Sequence, residues 1–165
     1  MKRLLITSTS LAALALVPAA TGLTAARSAG ACSPLPGPRA IPAGQTVLFG
    51  HIKSLTRKGR SFELKFDPAL LLTGRPAEQA ALQDTGSSDV PNDFYVVDET
   101  HRAYTYVVPA SAHVTVLPGG RPCVTVTSVA TLAHIVRART KAGFNIRVSS
   151  KYPSPVVAID QQYQP

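Results

Sequence analysis

Apolar and polar positions alternate most regularly between Ser61 and Asp67. Phe62, Leu64 and Phe66 fall on one side, and Ser61, Glu63, Lys65 and Asp67 on the other. A period of two with one apolar face marks a half-buried strand of an antiparallel sheet. Phe94–Val97, Tyr104–Val108 and Val114–Leu117 are dense in β-branched and aromatic residues, which suit a pleated surface. Turn-forming residues in Asp98–Ala103 and Pro109–Ser111 separate them. The pattern predicts a hairpin from the first two runs and a third strand after it. Thr46–Leu55 predicts another strand, with Gly50 marking a bulge, a bend or a close backbone approach. Cys123–Thr127, Phe144–Val148 and Val156–Ile159 complete the strand set.

Helical signals are fewer. Asp67-Pro68 reads as an N-cap followed by proline at the first helical position. It predicts a helical turn ending at Gly74, then a second short helix over Pro76–Gln83 closed near Gly86, together a helical insertion over 68–84. Ser128 reads as the N-cap of the main helix, Val129–Lys141, in which Val129, Leu132, Ala133 and Val136 share a face. Arg137, Arg139 and Lys141 sit where the helix dipole favours cations. The sum is an α+β, mainly β domain. It is expected as a small antiparallel, OB-like barrel or a curled sheet of about six to eight short strands, with the main helix over one face or one open end.

The first 31 residues follow a different pattern. Met1-Lys2-Arg3 is basic, Leu4–Val17 is apolar, Pro18 breaks the run, and Ala29-Gly30-Ala31 fits a small-x-small cleavage site, with Thr24-Ala25-Ala26 also acceptable. This is the layout of a secretory signal peptide. The apolar run falls short of the roughly 20 residues of a membrane span. The expected organisation is a signal peptide (1–31), an extended Pro-rich lead-in (32–45) and one β-rich domain (46–165), located in the medium or at the cell envelope. The formal charge of +8 includes Lys2, Arg3 and Arg27, so the mature chain keeps 14 basic against 9 acidic residues. That mild excess suits anionic surface polymers. The compartment argues against nucleic acid.

An oxidising compartment and just two cysteines, Cys32 and Cys123, point to one disulfide. The competing reading makes Cys32 a lipid-anchored N-terminus, since Ala29-Gly30-Ala31 precedes it. The phrases GHIKSL (50–55), FELKFDP (62–68), VPNDFYVVDE (90–99) and DQQYQP (160–165) resemble a family of small exported actinobacterial proteins. That resemblance implies export and a single domain, and supplies no catalytic residue.

Candidate chemistry gathers around the expected hairpin. Asn92, Asp93, His101, Arg102 and Tyr104 form the candidate binding rim. Glu99 and His101 point the same way in an extended segment and could reach one cation, but two ligands without a third are weak grounds for a metal. The plainer reading is a solvated turn with Asp98 paired to Arg102 across the strands. Asn92-Asp93 after Pro91 is also explained as a turn. His51 and Glu63 could meet across the first hairpin as a base and its partner, or as an ordinary sheet-face pair. Tyr95, Tyr104 and Tyr106 could stack on a ligand or on each other. His-Glu-x-x-His, Gly-x-Ser-x-Gly, P-loop and Gly-x-Gly-x-x-Gly motifs are missing from the sequence. The expectation is a non-enzymatic exported binding or structural module for an envelope or extracellular ligand, with no cofactor. The alternatives are a small hydrolase or metal-dependent enzyme using His51, Glu63 or His101, and an inhibitor of secreted proteases presenting Gly119–Pro122.

Overall fold

Gly59, at φ 61°, turns the chain between two long strands, β2 (Gln45–Lys58) and β3 (Ser61–Thr73). A short β1 (Ser33–Pro34) precedes them. The computed structural model describes residues 32–37, 40–138 and 141–164; the signal-peptide reading, Arg139 and the end of the main helix lie outside them. β2 and β3 pair antiparallel from Lys58 opposite Ser61 to Phe49 opposite Ala69, with an irregularity at Lys53. Phe62, Leu64 and Phe66 are buried, as the alternation predicts. Gly50 stands opposite Pro68. A Cβ at Gly50 would overlap the Asp67 carbonyl and sit 2.8 Å from Pro68 Cα. The glycine in this strand is therefore a close backbone approach, and the bulge lies three residues further on.

Asp67-Pro68 does not open a helix. β3 runs through both residues and on to Thr73. The fixed φ of proline is compatible with extended backbone, and Leu70–Thr73 gain a ladder with β4 (Phe94–Val97). The helical part of the expected insertion is α1 (Arg75–Thr85) alone, which follows Gly74 at φ 60° and stops at Gly86 in the left-handed region, whose N–H donates to the Leu82 carbonyl.

The expected hairpin is also absent. β4 and β5 (Tyr104–Pro109) do not pair with each other; both pair with β3. β5 takes Ser61–Phe66 and β4 takes Leu70–Thr73. The longer strand offers each run a complete ladder, which a short local hairpin could not exceed.

β6 (His113–Val116), β7 (Cys123–Thr127), α2 (Val129–Ala138), β8 (Gly143–Ser149) and β9 (Val156–Gln161) complete the chain. The order is β1-β7-β6-β9-β8-β2-β3-β4, with β5 also on β3. Nine strands are described, against the six to eight expected. β6 and β9 are parallel, so the sheet is mixed rather than wholly antiparallel. It stays open between β1 and β4 and forms no closed OB-like barrel. One face of the sheet is covered by α2, which packs on β2 and β6. Ser128 Oγ accepts from the Thr131 N–H at 3.1 Å and caps the helix as expected. Val129, Leu132 and Val136 meet Ile52, Leu64, Phe66, Val108, Ile146 and Ile159 in one core. No helix among the described residues is long and apolar enough to cross a membrane.

Cys32 and Cys123 form a disulfide with Cα atoms 5.4 Å apart, and Ser33–Pro34 pair with Val124 and Cys123 beside it. A sulfur so engaged cannot carry a thioether lipid. The bridge closes a separation of 91 residues, a constraint on the unfolded chain of about 4–5 kcal/mol in the chain-entropy view.

The Gly50–Pro68 approach yields a direct expectation. Gly50→Ala forces two backbones apart, so its cost should reach or exceed the top of the usual overpacking range, about 3 kcal/mol. Gly59→Ala, with open space around it, should lose about 1–2 kcal/mol from its positive φ alone. Urea midpoints of the two variants measure the difference, and equal losses would contradict the close approach.

Candidate functional site

β3 changes neighbours at residues 67–69. Ser61–Phe66 lie between β2 and β5, and Leu70–Thr73 pair with β4. Between the two ladders the chain connecting β4 to β5, residues 98–103, spans three residues of β3 with six of its own. The surplus makes an excursion. Asp67 lies beneath it with a side chain 0% exposed, and is the one buried charged residue among those described.

Asp67 Oδ2 is 2.8 Å from Lys53 Nζ, whose side chain remains 49% exposed. Lys53 is the residue at the irregularity in β2, without a partner in the β2–β3 register. The hydrogen bond to Asp67 raises the lysine above its ordinary value, against the opposing effect of lost water; the charges of Asp67 and then Asp98 add to the rise. Asp67 Oδ1 and Asp98 Oδ1 are both buried and have no hydrogen-bond partner among the described residues. His101, at φ 46°, places Nδ1 3.2 Å from Asp98 Oδ2. One donor atom each from Asp67, Asp98 and His101 lies within 4.8 Å of the others.

The rim above is cationic and aromatic. The Arg102 guanidinium sits 5.3 Å from the centroid of the Tyr104 ring, a contact worth about 0.5–1 kcal/mol at an exposed position. Tyr104 is 45% exposed. Along the same strand Tyr106 meets Phe66 edge-to-face at 6.4 Å, and Val108 is fully buried. The shared face of Tyr104, Tyr106 and Val108 therefore runs from rim to core.

The structure divides the residues the sequence singles out. His101, Arg102 and Tyr104 stand together. Asn92 and Asp93 lie at the other end of β4, about four strand residues or ~13 Å of extended chain away, in a turn where Asp93 Oδ1 accepts the Gly74 N–H at 3.2 Å. Asp98 pairs with His101 rather than Arg102. Glu99 is exposed and outside the cluster; the third ligand-type residue is Asp67. His51 does not meet Glu63, because the register sets His51 opposite Asp67 and Glu63 opposite Thr56. The His51 ring instead lies 3.4 Å from the Ala142 carbonyl. Tyr95 donates to Asp84 Oδ2 at 3.2 Å and ties β4 to α1. Gly119 and Gly120 both take positive φ in the exposed turn before Arg121.

Asp67 and Lys53 escape the sequence reading. Asp67 has the composition of a helix cap, and Lys53 that of a solvated strand face. The usable signal was Gly50 together with Pro68, which announces an irregular crossing of two strands.

Two shallow cavities are described elsewhere. One of about 230 Å³ lies between Leu117, Lys141 and the Gln161–Gln164 tail, and one of about 400 Å³ is lined by Val47–Phe49, Pro68–Leu71 and Asn145. Neither includes Asp98, His101, Arg102 or Tyr104. No family model, curated protein or solved structure matches this chain. The site is therefore read from its own geometry.

Removing one partner of a fully buried ion pair costs about 3–5 kcal/mol. Lys53 is half exposed, so its removal admits water, and Lys53→Met should lose about 1–3 kcal/mol. The folded value of Lys53 lies above the unfolded one, so the pair's contribution is complete below the ordinary lysine value of 10.5 and lost as pH rises through the raised value. The stability gap between the native protein and Lys53→Met should therefore shrink in alkali, measured as denaturant midpoints from pH 8 to 12. A constant gap would show that the ammonium is not what supports Asp67.

Proposed function

We propose that the protein is an exported, non-enzymatic binding module of the cell envelope or the surrounding medium. Its contact surface is the excursion 98–103 and the start of β5, with His101, Arg102 and Tyr104 exposed. The observation that carries this reading is the burial of Asp67 beneath an otherwise exposed, charged loop. A buried charge adds little net stability even when paired. A fold that retains one under a rim of Arg and Tyr has the composition of an interface centre, where those residues are enriched. The layout of residues 1–31 and the resemblance to small exported actinobacterial proteins support the compartment.

A small metal-dependent hydrolase is the second reading. The convergence of Asp67, Asp98 and His101 favours it, while His51 and Glu63 contribute nothing to it because they lie apart.

Sedimentation with envelope fractions tests the first reading. Truncating an interface anchor typically costs 2 kcal/mol or more, so Arg102→Ala and Tyr104→Ala should each reduce retention by about thirtyfold. Turnover of esters, glycosides or peptides by the metal-loaded protein would overturn the module in favour of the hydrolase. Recovery of the protein inside the cell with residues 1–31 intact would overturn the location.

A further inference from the structure

The buried end of the site has a charge imbalance that the rim does not explain. Two carboxylates, Asp67 and Asp98, face one ammonium, Lys53. Asp67 Oδ1 and Asp98 Oδ1 are also buried without a hydrogen-bond partner among the described residues. An orphaned buried acceptor costs about 1–3 kcal/mol, more when charged. Asp67 is fully buried, and one of its carboxylate oxygens lies within 4.8 Å of donor atoms of Asp98 and His101. Lys53 reaches only Oδ2, and does so from solvent.

We propose that Asp67, Asp98 and His101 form a divalent-cation site, for which the Lys53 ammonium is the resident counter-charge. The inference rests on the binding reading given above, since it concerns the base of the same surface. Asp98 Oδ2 and His101 Nδ1 are 3.2 Å apart. Two ligands bound at about 2.0–2.1 Å around one tetrahedral ion are separated by roughly 3.3 Å, so this pair is already at ligand spacing. All three donors fall within 4.8 Å, and the exposed His101 is the one free to move inward.

The donor set selects the ion. Two carboxylates and one imidazole suit a borderline divalent ion of the zinc class. Calcium is disfavoured, because it takes six to eight oxygens and the imidazole offers none. Three protein ligands leave a fourth coordination position, where an oxygen of a bound partner or a water can enter. Binding displaces the Lys53 ammonium into solvent, where half of its side chain already lies. The ion also ties Asp98 and His101 of the excursion to Asp67 of β3, so it orders the contact surface from below.

The test is calorimetric titration of the EDTA-treated chain with Zn²⁺, and with Ca²⁺ in parallel. One Zn²⁺ per chain is expected, with affinity reduced by about a hundredfold in His101→Ala and in Asp98→Asn. Both positions lie on the excursion, and circular dichroism verifies that each variant is folded. Lys53→Met should bind about tenfold more tightly, because a competing cation is gone. Absence of stoichiometric Zn²⁺ uptake, uptake unchanged by His101→Ala, or preference for Ca²⁺ would each overturn the site. His51, His113 and His134 are the other imidazoles able to hold zinc, so insensitivity to His101→Ala assigns any uptake to them. The binding reading fails separately. Retention on envelope fractions that depends on Arg102 and Tyr104, in a chain that takes up no stoichiometric Zn²⁺, leaves that reading standing and removes the ion, whereas intact Zn²⁺ uptake with retention indifferent to Arg102 and Tyr104 does the reverse.

Discussion

A strand that exchanges one neighbour for another must leave backbone unpaired on the way, and β3 makes that exchange at Pro68. Proline has no N–H to lose from the ladder, so the gap is least costly there. The opposite strand must still come close, and Gly50 allows it by having no Cβ. With these two residues in register, the rest of the site follows. The β4–β5 connection has three residues more than the stretch it spans, so it rises into an excursion. The residue before the proline is enclosed beneath it. The residues that end the excursion, Arg102 and Tyr104, are delivered to the rim at the start of β5.

Stability alone does not account for Asp67. Replacing a buried ion pair by apolar residues of similar volume is often neutral or stabilising. The position lies on the face of β3 opposite Phe66, and its cross-strand partner is His51. The irregularity at Lys53 lets the lysine reach the carboxylate without a matching partner in the ladder. A local departure from regular pairing, a buried charge and orphaned carboxylate oxygens thus coincide at one place. Such coincidences of local rule-breaking are characteristic of sites kept for function.

Much of this architecture is legible in the chain. The Phe62, Leu64, Phe66 alternation, the Ser128 cap and the apolar face of α2 are local signals that the fold obeys, and the cysteine pairing follows from there being only two. Three other features depend on partners distant in sequence. Asp-Pro carries a genuine capping preference, yet the ladder open to Leu70–Thr73 outweighs one helical turn. Two β-rich runs separated by six mostly polar residues resemble a hairpin, and no local pattern reveals that a thirteen-residue strand receives both. Register is the third. His51 and Glu63 are plausible neighbours until the register sets Asp67 opposite His51, four residues from Glu63. Of the site, the exposed half was readable from composition. The buried half was not, because burial of Asp67 comes from a chain segment more than thirty residues later.

The disulfide supports this arrangement without touching it. Cys123 is in β7, near one end of the strand order, and the excursion lies at β3 and β4 near the other. A cross-link acts mainly on the unfolded chain, and the loop from Cys32 to Cys123 contains β2 through β6. Its constraint therefore applies to every strand that builds the site, while adding no contact to the rim. A domain stabilised in this way can retain an open sheet, a buried charge and an exposed arginine over a tyrosine. The same features in an unlinked chain of this size would draw on the hydrophobic core alone, which here contains no tryptophan and few aromatic rings.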